Sequence, residues 1–142
     1  MKDRTAFNET LTSVEDLDNL YRAPSQGVKD KETERLDLGC RDFIAMSPFV
    51  LVGTVNTEGD LDVSPRGGPT GFVKVLDEYR LAIPDLNGNN RLDSIRNIIA
   101  NGRVGLIFLI PGLGETLRVN GSAFVTTDDF VLDLFSDEFR RP

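Results

Sequence analysis

Apolar positions recur with two different periods along the chain, and the change from one to the other organises it. Near the start, Val14, Leu17 and Leu20 of "SVEDLDNLY" recur at helical spacing. Ser13 stands as N-cap with Asp16 three residues on, a capping-box arrangement. "APSQGVKDKETE" (Ala23 to Glu34) is polar and turn-rich, and reads as a linker. "RLDLGCRDFIAM" predicts a second helix ending ahead of Ser47-Pro48, because the residue before a proline disfavours helical backbone.

Beyond Pro48 the segments become short and β-like. "FVLVGTVN", "LDVSP", "FVKVLD" and "RLAIP" are separated by "TEGD", "RGGPTG" and "DEY", with Thr57 to Asp60 as a hairpin turn. "NNRLDSIRNIIANG" predicts a helix with Leu92, Ile95, Ile98 and Ile99 on one face. Asn89 or Asn90 is its expected cap, and Gly102 follows its end. "RVGLIFLIP" and "GETLRVNGSAFVTT" form a second hairpin around "PGLG", and "TDDFVLDLFSDEF" a last helix from near Thr127. The expected layout is one domain over 1–142. It has a helical segment at 1–47, strands across 48–126 with a helix at about 89–101, and a C-terminal helix at 127–142. Short antiparallel strands with few helices point to a mainly β, α+β domain, a small barrel with flanking helices.

Composition narrows the chemistry. The net charge of −7 opposes a general nucleic-acid or anionic-membrane surface, since phosphate backbones attract basic faces. The N-terminal "MKDRTAFNETLTS" lacks the apolar stretch of a secretion signal, and "VGLIFLIP" is too short to span a bilayer. One cysteine, Cys40, excludes an internal disulfide and suits a reducing cytoplasm. No histidine is present, so His-based triads, His zinc sites and His general bases are absent from this chain. Any redox or group-transfer chemistry then falls to a cofactor.

Two stretches are candidates for holding one. In "SPRGG" (Ser64 to Gly68), Arg66 offers a planar fork of donors suited to phosphate or carboxylate. Gly67 and Gly68 permit positive φ and close approach of another molecule. The competing reading is an exposed hinge with a solvated arginine. In "GNNRLDSIRN" (Gly88 to Asn97), Arg91 is expected in the first turn of the helix. There, free N–H groups and the arginine would bind an anion together. The alternative is a surface arginine paired with Asp93 or Asp85. Two arginines beside strand ends in an acidic protein favour one phosphate-sized site. "GLGET" sits between strands and reads as a turn. Cys40 reads as a small buried hydrophobe, and Asp128-Asp129 as a helix N-terminus.

The stretches "SPRG", "AIPD…GNNRLDS", "RVGLIFLIPG" and "ETLRVNG", in that order and spacing, resemble the pyridoxamine 5′-phosphate oxidase-like, FMN-binding split-barrel family. The resemblance runs from about Asp16 to Val125 and lies nearest a bacterial branch of oxidase-related flavoproteins. It implies a six-stranded antiparallel split β-barrel that forms a homodimer, with two FMN molecules in clefts between subunits. It further implies that Ser64, Arg66 and Gly67 lie beside the flavin, with Arg66 on the phosphate. Ile83 and Asp85 would lie near the ring or ribityl chain, and Asn89, Asn90 and Arg91 at the phosphate.

The chain departs from the vitamin B6 oxidase itself, whose substrate contacts come from C-terminal basic and aromatic residues. This sequence ends at "DEFRRP" without Trp or His, where relatives continue through a further strand. The implied function is an FMN-dependent oxidoreductase with an unassigned substrate. Alternatives of other classes are a non-catalytic flavin carrier or sensor and a deazaflavin-binding reductase. Haem is disfavoured by the lack of an axial histidine.

Overall fold

The structure, a computed structural model, describes residues 7–29, 31–85 and 92–135. The chain divides into two compact units, Met1–Thr33 and Glu34–Pro142. In the first, helix α1 (Val14–Leu20) carries the expected capping box. The Asp16 N–H donates to Ser13 Oγ at 3.1 Å, and the Asp16 carboxylate accepts from the backbone N–H groups of Thr12 and Ser13. These bonds, the Thr12 backbone N–H foremost, hold its carboxyl below the ordinary value. Within the expected linker, Gln26–Lys29 form a short helix, α2.

The second unit opens with α3 (Leu38–Met46), which stops at Ser47 ahead of Pro48 as the sequence requires. Asp37 caps it, accepting from the Cys40 N–H at 2.8 Å. The chain then forms β1 (Phe49–Val55), β2 (Leu61–Gly67), β3 (Lys74–Val75), β4 (Leu81–Ala82), α4 (Asp93–Asn101), β5 (Arg103–Leu109), β6 (Thr116–Ser122) and α5 (Asp129–Leu132). The strands make two antiparallel sheets, one ordered β2-β1-β5-β6 and the other pairing β3 with β4. The larger sheet is open, with β2 and β6 at its edges. "FVKVLD" and "RLAIP" contribute only two paired residues each.

Alternation along β1 builds the core. Val50, Val52 and Thr54 are buried, while the residues between them point to the other face. Leu106 and Phe108 of β5 join them, as do Ile44 of α3, and Phe72 and Val73 ahead of β3; Val75, Leu81 and Ile83 pack on this cluster. Ser47, 1% exposed, ties two strands of the larger sheet together at one end. Its Oγ lies 2.6 Å from the Leu109 carbonyl and 2.8 Å from that of Phe49, so one hydroxyl joins the ends of β1 and β5.

Helix α4 departs from expectation at its start. It begins at Asp93, and its cap position is Leu92, in left-handed backbone at φ 56° with no side-chain cap bond. Asn89, Asn90 and Arg91, expected as cap and first turn, lie outside the described residues. The buried side of α4 is also more polar than its isoleucine pattern implies. Ser94 is buried and donates to Asp62 Oδ2 at 3.0 Å, Asn97 Nδ2 donates to Thr54 Oγ1 at 3.0 Å, and Ile99 is exposed. Of the final helix expected at 127–142, α5 spans Asp129–Leu132, and residues 136–142 lie outside the described residues. No helix among the described residues is long and apolar enough to cross a membrane.

Two consequences can be measured by chemical denaturation. Ser47→Ala removes the buried hydroxyl shared by the Phe49 and Leu109 carbonyls and is expected to cost about 1–3 kcal/mol. Phe108→Ala, at a fully buried site, is expected to cost about 3–5 kcal/mol. A third concerns pH. The Cys40 N–H bond lowers the Asp37 carboxyl below its ordinary 3.8. The cap therefore contributes in full above that value and is lost as pH falls through the lowered folded value. Asp37→Asn keeps an acceptor oxygen and is expected to flatten that part of the stability–pH curve.

Candidate functional site

Strand β2 is an inverted strand, and this is what builds the site. Its register with β1 sets Arg66 opposite Val50, Ser64 opposite Val52 and Asp62 opposite Thr54. Directly opposed residues of an antiparallel pair share a face, so three polar side chains are turned toward the core side. The apolar residues between them face outward, Leu61 and Val63 being exposed. Pro65 does not end the strand as the proline rule suggests; pairing continues through Arg66 to Gly67. It is tolerated because β2 is an edge strand.

Two of the glycines after Arg66, Gly68 and Gly71, serve packing. Neither Gly67 nor Gly68 has positive φ; within "RGGPTG" that conformation belongs to Gly71, at φ 75°. A Cβ on Gly71 would fall 2.8 Å from the Ala45 carbonyl oxygen, and one on Gly68 would fall 2.8 Å from the Phe72 ring. Gly67 has room for a side chain, with Phe49 at ordinary contact distance. The loop is bare because it threads close to α3 and folds over its own phenylalanine.

Arg66 meets Asp85. Arg66 Nη1 donates to Asp85 Oδ1 at 2.9 Å, with the two side chains 13% and 31% exposed. By contrast, the ion pairs Arg35–Glu78 and Arg80–Asp77 among the described residues involve arginines at least 64% exposed. The solvated-hinge reading of Arg66 therefore does not hold. Of the expected site residues, the structure joins Arg66 to Asp85 and puts Ser64 on the same strand face as Arg66. Gly67 lies on the opposite, exposed face, and Ile83 packs on the core. Asn89, Asn90 and Arg91 lie outside the described residues, so of the two expected arginines the structure describes Arg66.

Three partners went unread in the sequence. The sequence pairs Asp85 with Arg91, whereas in the structure it meets Arg66, 19 positions away. The Ser94–Asp62 and Asn97–Thr54 bonds were hidden by the isoleucines around them, although two polar residues three apart on a helix share a face. On the outer face of the sheet, Gly53 and Gly105 oppose each other, with Val63 and Asn120 continuing the row on either side. The paired glycines leave a groove of about 540 Å³, walled also by Val55 and Leu61.

HupZ from Group A Streptococcus superposes with a TM-score of 0.55 and 17% identity, covering 69% of this chain and 72% of that one. A single-residue variant of HupZ gives 0.55 and 18%, covering 70% and 77%. At these identities the likeness is one of fold. No curated protein matches the sequence. Residues 37–141, well over half of the chain, match the family model described as pyridoxamine 5′-phosphate oxidase, and the chain belongs to that family.

Proposed function

We propose that the chain is an FMN-binding flavoprotein, an FMN-dependent oxidoreductase on a split barrel that acts as a cytoplasmic homodimer. The observation that carries this reading is Arg66, held on the core side of an edge strand and shielded from water. A planar guanidinium there suits a phosphate group, and Asp85 engages one of its five N–H donors. In this reading Arg66 holds the FMN phosphate, Ser64 lies alongside on the same strand face, and Asn89, Asn90 and Arg91 complete the phosphate site. Bound FMN supplies reversible hydride or electron transfer. The protein's part is to orient the phosphate end and exclude water. Exposed Leu61 and Val63 beside the glycine groove supply an apolar face for the second subunit.

Titration of FMN into the purified protein, followed by calorimetry and flavin fluorescence, tests the cofactor; no binding at excess FMN sinks the reading. Arg66→Ala is expected to weaken FMN at least about tenfold, the scale of one charge-assisted hydrogen bond, and to affect riboflavin much less. Bleaching of bound flavin by reduced nicotinamide, with turnover on an acceptor, separates an oxidoreductase from a carrier. For the dimer, light scattering is expected to give twice the chain mass, and Val63→Asp to give a monomer that remains folded. A wild-type monomer at all concentrations removes the dimer from the proposal.

A further inference from the structure

We infer that Asp85 is an internal competitor for the anion site, an acceptor that sets how strongly Arg66 distinguishes a phosphorylated ligand from its uncharged counterpart. The inference rests on the phosphate role proposed for Arg66. Of the ion pairs Arg35–Glu78, Arg66–Asp85 and Arg80–Asp77, this one has the most shielded arginine, and it joins residues 19 positions apart.

Its two halves are held unequally. Arg66 is fixed within a continuous ladder, opposite fully buried Val50. Asp85 lies beyond the last paired residue of β4, after the buried Pro84, and its side chain is the more exposed of the two. An arriving phosphate therefore meets an arginine whose charge is already balanced by a carboxylate. It must share the fork with that carboxylate or displace it, and like charges brought together at a shielded site oppose each other. A neutral hydroxyl meets no such opposition, because the pair offers it both a donor and an acceptor. The native pair thus tempers the preference for phosphate. Removing the negative charge at position 85 restores the full attraction of Arg66.

The test uses the full chain and inorganic phosphate as the probe, following the Arg66 Nε–H resonance, assigned by its loss in Arg66→Lys. In Asp85→Asn, which keeps an oxygen able to accept from Arg66, the half-saturating phosphate concentration is expected to fall about tenfold or more. Asp85→Ala is expected to show the same gain. If Asp85→Asn and Asp85→Ala, both folded by circular dichroism, bind phosphate no better than wild type or more weakly, Asp85 orients Arg66 instead and the inference is overturned. Absence of a phosphate response in every form overturns it as well. FMN and riboflavin titrated into the same proteins keep the two ideas apart. A phosphate response without flavin binding rejects the flavin reading alone, whereas flavin binding unaltered by Asp85→Asn rejects the competitor alone.

Discussion

The pairing of Val50 with Arg66 is the constraint on which the site depends. Side chains alternate strictly along a strand, so a slip of one residue between β1 and β2 would send Arg66, Ser64 and Asp62 to the outer face together. The register is fixed at its turn. Asn56 Oδ1 accepts from the N–H groups of Glu58 and Asp60, both at 2.9 Å, and Gly59 adopts φ 90°. That compact loop admits one alignment of the strands it joins. Ser47 then binds β1 to β5 near the opposite end, so the central strand is held at both ends.

A strand with its polar residues inward costs free energy unless each finds a partner. Strand β2 meets this requirement at both ends. Asp62 accepts from Ser94 of α4, and Arg66 donates to Asp85. The Asn97–Thr54 bond repeats the device one strand over, so α4 rests on the sheet through two hydrogen bonds as well as apolar contact. Directional bonds fix the placement of a nine-residue helix more narrowly than isoleucine side chains alone would. The apolar residues displaced outward, Leu61 and Val63, are the complement of that choice.

Much of this was legible in the residues. Ser13 and Asp16 announced their capping box, Ser47-Pro48 the end of α3, and "FVLVGTVN" and "RVGLIFLIP" the two strands that hold much of the core, because each signal is local. The family and the antiparallel, mainly β character were legible too. What escaped depends on distant partners. Nothing local says that Pro65 lies on an edge and can be passed over. Nothing local says that Leu92 rather than an asparagine takes the cap of α4 in left-handed backbone. The glycines of "SPRGG" looked like space left for a ligand; at Gly68 the space is taken by Phe72 of the same loop. The extent of β3 and β4 also exceeds the structure's, since their sequences fit strands while two residues of each join the ladder and Leu76 and Arg80 belong to the turn between them.

Arg66 and Asp85 come from different sheets. The arginine sits on the edge of the four-stranded sheet, and the carboxylate follows the short β3–β4 ladder. Their ion pair is thus a side-chain link between two layers otherwise joined through apolar packing around Phe72, Val73 and Phe108. Apolar contact is nearly indifferent to small sliding, whereas a shielded ion pair is not, because its energy depends steeply on distance and alignment. The same bond that balances the charge of Arg66 therefore also sets the position of the chain leaving β4. An anion that takes the place of the carboxylate would release the Asp85 side chain while filling the arginine. Charge selection at Arg66 and the placement of Asp85 after Ile83-Pro84 are, on this geometry, one property of a single pair.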